Sequence, residues 1–300
     1  MLLVALLTGC AGAADAPVLR VADQKGMTRA LLEASGQLQG LDYEVVWSDF
    51  SAAAPLLEAL KTDAVDCGGV GDAPLIFALA QGASLKVVAA SRMDPKTTAI
   101  IARHGAISGG AAGLKGKRVA VVRGSIGHYL LGVALQREGL SMADVQPVFL
   151  APGDAAAALA SGTVDAWATW EPYVSIARTR HGDEVVVDGT GLSRGLGYQA
   201  CSARALEARH ALIADFVERT RRAQRWQHGH VEQTARIYAE RTGVPLAVAQ
   251  QVVRNQGLTP VTLDAALLAE TQDTADTYRR LGILDKRVDV ADAFDTAHEP

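Results

Sequence analysis

The 300-residue sequence predicts an α/β protein of two lobes facing each other across a ligand cleft. Three observations lead there. A stretch of sequence occurs twice, short β-branched runs alternate with Ala/Leu-rich helical stretches inside each copy, and the chain ends in a long segment that is helical throughout.

The duplication is visible residue by residue. LRVADQKG (Leu19 to Gly26) and KRVAVVRG (Lys117 to Gly124) share Arg-Val-Ala followed by a glycine, with Arg20 and Arg118 lying 98 positions apart. Further on, EALKTDAVDCGGVGDAP and AALASGTVDAWATWEP align Leu60 with Leu159, Val65-Asp66 with Val164-Asp165, and Asp72 with Glu171, now 99 positions apart. A period this long exceeds that of stacked solenoid repeats, so two related lobes explain it better. Each copy reads strand, helix, strand, helix, strand, helix, with strands such as Val45-Val46 and Val119 to Val122. That alternation predicts parallel sheets with right-handed crossovers.

After about Asp188 the pattern changes. GLSRGLGYQACSARAL is turn-rich around a short apolar piece, and from Ala203 onward the helices have no strands of their own. Such helices must bury their apolar faces on a sheet already formed, so the chain is expected to return to the first lobe. The expected boundaries are residues 1–16 as a leader segment, 17–103 with 198–300 as lobe 1, and 104–197 as lobe 2. Crossings near Arg103 to Gly113 and Thr190 to Gly197 would act as a two-strand hinge.

Composition agrees with an ordinary globular chain of about two domains: 49% of residues are hydrophobic and 21% charged. The formal net charge is −4, and scattered Lys and Arg form no basic stripe, which argues against a nucleic-acid partner. MLLVALLTGCAGAADAP, at the N-terminus, reads as an export signal, too short to span a bilayer and without a basic leader. Leu7-Thr8-Gly9-Cys10 resembles a lipobox, in which Cys10 is lipidated; cleavage after Ala11-Gly12-Ala13 is the alternative. Cys67 and Cys201 either pair or stay as buried free thiols, and neither has metal-ligand spacing.

In open α/β sheets, ligands sit beyond the carboxyl ends of the strands. Those ends here carry Gln24, Gly71-Asp72, Gly124-Ser125 and Trp167 to Glu171. VVRGSIGHYLLGVALQREG runs a strand through a Gly-Ser turn into a helix, whose first amides lack internal partners and favour an anion. Ser125 either caps that helix or contacts the anion.

DQKG, VDCGGVGDAPLIFALAQGA, GLKGKRVAVVRGSIGHYLL and VDAWATWEPY occur in order from Leu19 to about Tyr198. This combination resembles the aliphatic-sulfonate-binding periplasmic proteins of ABC importers. The resemblance implies a type II periplasmic-binding-protein fold and capture of a small organic sulfonate. It also implies delivery to an inner-membrane permease, no catalysis and no cofactor, in a periplasmic monomer. It places ligand contacts at Gln24, Gly71, Asp72, Ala73, Ser125, Ile126, Gly127, His128, Tyr129, Trp167, Trp170 and Glu171. With that context Ser125 reads as a sulfonate contact, and Trp167 and Trp170 as an apolar wall for an alkyl chain. Asp72 and Glu171 read first as helix-start carboxylates. Asp23 stands where many relatives have an aromatic residue, so a more polar pocket is expected.

Other readings stay open: another small anion, a thiamine precursor, or an enzyme on the same fold. The enzyme reading wants a clustered nucleophile and base or a cysteine-rich iron motif, and the sequence has no GxxxxGK[ST] or HExxH.

Overall fold

The computed structural model describes residues 16–295. Cys10 and the segment read as a lipobox lie outside the described residues. In chain order, the first sheet's strands and helices are β1 (Val18–Gln24), α1 (Met27–Ala34), β2 (Glu44–Phe50), α2 (Ala53–Lys61), β3 (Cys67–Gly71), α3 (Asp72–Ala80) and β4 (Leu85–Arg92). The second sheet is built from β5 (Thr98–Ala102), β6 (Arg118–Val121), α4 (Ile126–Arg137), β7 (Gln146–Phe149), α5 (Pro152–Ser161), β8 (Ala166–Trp170), α6 (Tyr173–His181) and β9 (Glu184–Asp188). The chain returns through β10 (Leu196–Ser202) and ends in α7 (Ala203–Gln227), α8 (Val231–Thr242), α9 (Leu246–Gln256), β11 (Thr259–Val261) and α10 (Ala265–Arg280).

The strand orders are β11-β4-β10-β3-β1-β2 and β7-β6-β8-β5-β9. The duplicated sequence forms the parallel triplets β2-β1-β3 and β7-β6-β8. The sheets are nevertheless mixed, which corrects the expectation of purely parallel ones: β10 runs antiparallel to β3 and β4, and β5 antiparallel to β8 and β9. The reason is the direction of entry. A chain crossing between lobes enters each sheet at the edge where the parallel strands end, so it must run back against them. Accordingly Thr98, at the start of β5, pairs with Trp170 at the end of β8, and Gly197 in β10 pairs with Gly71 at the end of β3.

Because β5 belongs to the second sheet, the first crossing lies between β4 and β5, ahead of the expected Arg103 to Gly113. Met93 donates its backbone N–H to Gly195 O at 2.8 Å, binding the two crossing segments to each other. A Cβ on Gly195 would come within 2.2 Å of Met93 O, so only glycine allows that approach.

The tail does return to the first sheet. Ile213, Phe216 and Val217 of α7 pack on Leu19 and Val21 of β1 and Val88 of β4. Cys67 and Cys201 face each other across β3 and β10 and form a buried disulfide. The sequence left that pairing open, since the two positions are 134 residues apart and meet only once β10 is inserted beside β3. The tail also touches the second lobe: Tyr278 of α10 meets Tyr129 of α4 edge to face, at 5.2 Å between ring centroids.

Candidate functional site

A cavity of about 460 Å³ opens between the two sheets, at the ends of the strands. Its walls come from both copies of the repeat, with contributions from β10, α7 and α9. Gln24, Gly71, Asp72, Ser125, Ile126, Trp170 and Glu171 all line it. Ala73, Gly127, His128, Tyr129 and Trp167 do not.

On the first lobe, β1 delivers Asp23 to the start of α1, where its carboxylate accepts from the backbone amides of Thr28 (3.1 Å) and Arg29 (2.8 Å). Burial nevertheless pushes its pKa up to about 6. Gln24 donates from Nε2 to Gly69 O at 2.8 Å, which fixes the turn and leaves the amide oxygen as its free polar atom. Asp72 opens α3 and accepts from the N–H of Ala73 at 2.7 Å, and burial raises its pKa to about 6 as well. Ala73 itself is fully buried among Ile76, Tyr129 and Tyr278.

On the second lobe, Gly124 takes a left-handed conformation (φ 71°), and a Cβ there would strike the Phe77 ring of α3 at 2.4 Å. Ser125 follows as the N-cap of α4. Its hydroxyl accepts from His128 N at 3.2 Å and donates to Val122 O at 2.7 Å, so both roles are occupied inside the protein. In this structure the hydroxyl is engaged as the cap of α4. What the turn offers to an anion is the free amides of the first helical turn, beginning at Ile126. Gly127 packs against the backbone of β8, where a Cβ would come within 2.5 Å of Ala168 O. His128 points back into the turn, its Nδ1 accepting from Gly124 N at 3.2 Å; burial lowers its pKa to about 4, so the ring is neutral. Tyr129 is buried against Tyr278.

The two tryptophans separate. Trp167 is 1% exposed and packs on Tyr173 inside the lobe, a correction to its reading as cleft wall. Trp170, at the end of β8, meets the same Tyr173 ring edge to face at 5.9 Å, and its place at the strand end rather than mid-strand brings it to the cavity. Glu171 caps α6, accepting from Ser175 N (3.1 Å) and Ser175 Oγ (2.8 Å), and also from Asn255 Nδ2 of α9 at 2.6 Å. Burial raises its pKa despite these donors.

Sequence reasoning missed four contributors. Lys25 and Arg123 line the cavity, and among the described residues neither has a carboxylate partner. Lys25 adopts φ 56° and lies 5.6 Å from the ring centroid of Tyr173, across the cleft; Arg123 stacks on Phe149 at 3.7 Å. Tyr173 donates to Ser51 O at 2.7 Å, a hydrogen bond from lobe to lobe, as is that of Asn255 to Glu171. The signal for the cations was present, since Lys25 and Arg123 follow or precede the singled-out strand ends. Nothing local in the sequence announces Tyr173 or Asn255, whose partners are more than eighty residues away. Among the described residues no cluster of His, Cys, Asp and Glu is arranged to hold a metal ion, and no helix is long and apolar enough to cross a membrane.

Two α/β lobes joined by paired crossings, with a cleft lined from both, define a binding protein of the type II periplasmic fold. The chain belongs to the NMT1/THI5-like family, which it matches over residues 37–234. It is 33% identical to the putative aliphatic sulfonates-binding protein of Escherichia coli K12, over 96% of this chain and 92% of that one. The alkanesulfonate-binding protein from Xanthomonas axonopodis pv. citri, solved bound to MOPS, superposes with a TM-score of 0.86 at 32% identity, covering 94% of this chain and 99% of that one. The desulfurization enzyme DSZB shares the fold alone, with a TM-score of 0.67 at 19% identity over 94% of this chain and 97% of that one.

Proposed function

We propose that this chain is the periplasmic capture component of an importer, closing its lobes on an organic sulfonate and passing it to a membrane permease. One observation carries the reading: the cavity is lined from both lobes and joins the amides at the start of α4 and two cations, Lys25 and Arg123, that have no carboxylate partner among the described residues, to an apolar wall at Trp170. A sulfonate has one negative charge and an organic group, which matches that division. The relatives named for aliphatic sulfonates support it. Binding without chemistry fits the side chains: the Ser125 hydroxyl is bonded on both sides, His128 faces the turn, and the buried carboxylates are committed to helix starts. Anchoring of a monomer through a lipid on Cys10 belongs to the same proposal, and fatty-acid labelling of wild type against Cys10→Ala tests it.

Calorimetric titration with sulfate, taurine and the series from methanesulfonate to butanesulfonate tests the ligand. Affinity should rise by about 0.8 kcal/mol per methylene buried, and Trp170→Ala should flatten that rise. Sulfate binding as tightly as butanesulfonate would overturn the proposal, because sulfate has no organic group to place against Trp170.

A further inference from the structure

The strand β3 reads CGGVG, and its two inner glycines differ in kind. A Cβ on Gly68 would lie 2.9 Å from Ala22 Cβ and 3.0 Å from Leu56 Cδ2, so core packing demands glycine there. A Cβ on Gly69 would meet a single atom within 4 Å, Thr28 Oγ1 at 3.8 Å. Its backbone is ordinary strand, without a positive φ. Glycine inside a strand costs stability, and where no protein atom needs the space, close approach of a ligand is the remaining use.

The surroundings say what kind of ligand. Gly69 lines the cavity on the face of the first sheet covered by α1 and α7, and from there the cavity continues to Leu31, Val217 and Leu258. Gln199 stands opposite Gly69 in the register, also on the cavity wall; it is 8% exposed and its Nε2 has no partner in the protein. The volume of about 460 Å³ is in the range of sites for drug-sized molecules, roughly 300–1,000 Å³. Methanesulfonate would leave most of it empty.

We propose that Gly69 sets the length of ligand this cleft admits: with no side chain at this position, the organic body of a sulfonate extends over the strand toward Gln199, and a side chain there would shorten the ligand that fits. The proposal rests on the sulfonate reading above.

The test is calorimetric titration of the intact protein with methanesulfonate and with 3-(N-morpholino)propanesulfonate, on wild type, Gly69→Ala and Gly69→Val, alongside melts without ligand. Wild type should bind the morpholino compound. Gly69→Val should weaken that compound at least about tenfold and methanesulfonate less than about threefold, since overpacking penalises only what occupies the space. Gly69→Ala should fall between, and it carries the test if the valine variant does not fold. Unchanged binding of the morpholino compound, equal losses for both ligands, or a wild type that binds methanesulfonate alone would overturn the length proposal while leaving the sulfonate reading intact. Wild type binding neither compound overturns both.

Discussion

Arg20 wraps Asp66, donating its backbone N–H (2.8 Å) and Nε (3.3 Å) to Oδ2 and its Nη2 (2.5 Å) to Oδ1. Arg118 and Asp165, the matching residues of the second copy, repeat the arrangement at 2.8, 3.2 and 2.9 Å. In both lobes the pair ties the first parallel strand to the turn that leads into the third, at the end of the sheet away from the cleft. The two copies differ in burial: the Asp66 side chain is 0% exposed and Arg209 of α7 also approaches it, whereas Asp165 is 25% exposed.

Asp66→Ala should therefore cost about 1–3 kcal/mol of stability, because it leaves the Arg20 amide and two part-buried guanidinium groups without their acceptor, and Asp165→Ala about 0–1 kcal/mol, as for a solvated pair. Urea unfolding of the two variants checks this. Equal losses would mean that burial does not set the difference.

Ser125→Ala should remove a helix cap and cost about 1 kcal/mol, while sulfonate affinity changes less than about threefold. The hydroxyl is already bonded to Val122 O and His128 N, so little of it is left for a ligand. A variant that keeps its stability and loses tenfold or more in affinity would count against the cap.

Asp72 has a folded pKa raised by burial to about 6 from the ordinary 3.8. The folded state takes up its proton first as pH falls, so between about 6 and 4 this residue adds stability with falling pH and loses it with rising pH. Asp72→Asn keeps the acceptor for Ala73 N without the buried charge. Relative to wild type, its melting temperature should be highest at pH 8, and the gap should narrow toward pH 4.5. A gap independent of pH would show that Asp72 is not buried as an acid.

The disulfide encloses the whole second lobe within its loop. On the chain-entropy account, a loop of 134 residues stabilises by roughly 5 kcal/mol, so Cys67→Ala with Cys201→Ala should melt well below wild type. Both cysteines are at most 1% exposed, so reductant without denaturant should leave them unlabelled by a thiol reagent. Rapid labelling of the folded protein would contradict that burial.

The sequence by itself determined the doubled α/β plan, the return of the helical tail, and the strand ends at Gln24, Asp72, Ser125 and Glu171, because periodicity and turn chemistry are local and the repeat writes them twice. Tertiary structure decided what those residues do. Whether Ser125 serves the helix or an anion depends on where its hydroxyl hydrogen finds an acceptor. Whether Trp167 or Trp170 reaches the cleft depends on which of them lies at the end of β8 once the strand has paired with β5. The antiparallel entries of β5 and β10, the meeting of Cys67 with Cys201, and the contacts of Tyr173 and Asn255 across the cleft join residues far apart in the chain. Such contacts exist only after both lobes have formed and faced each other, and no local pattern encodes them.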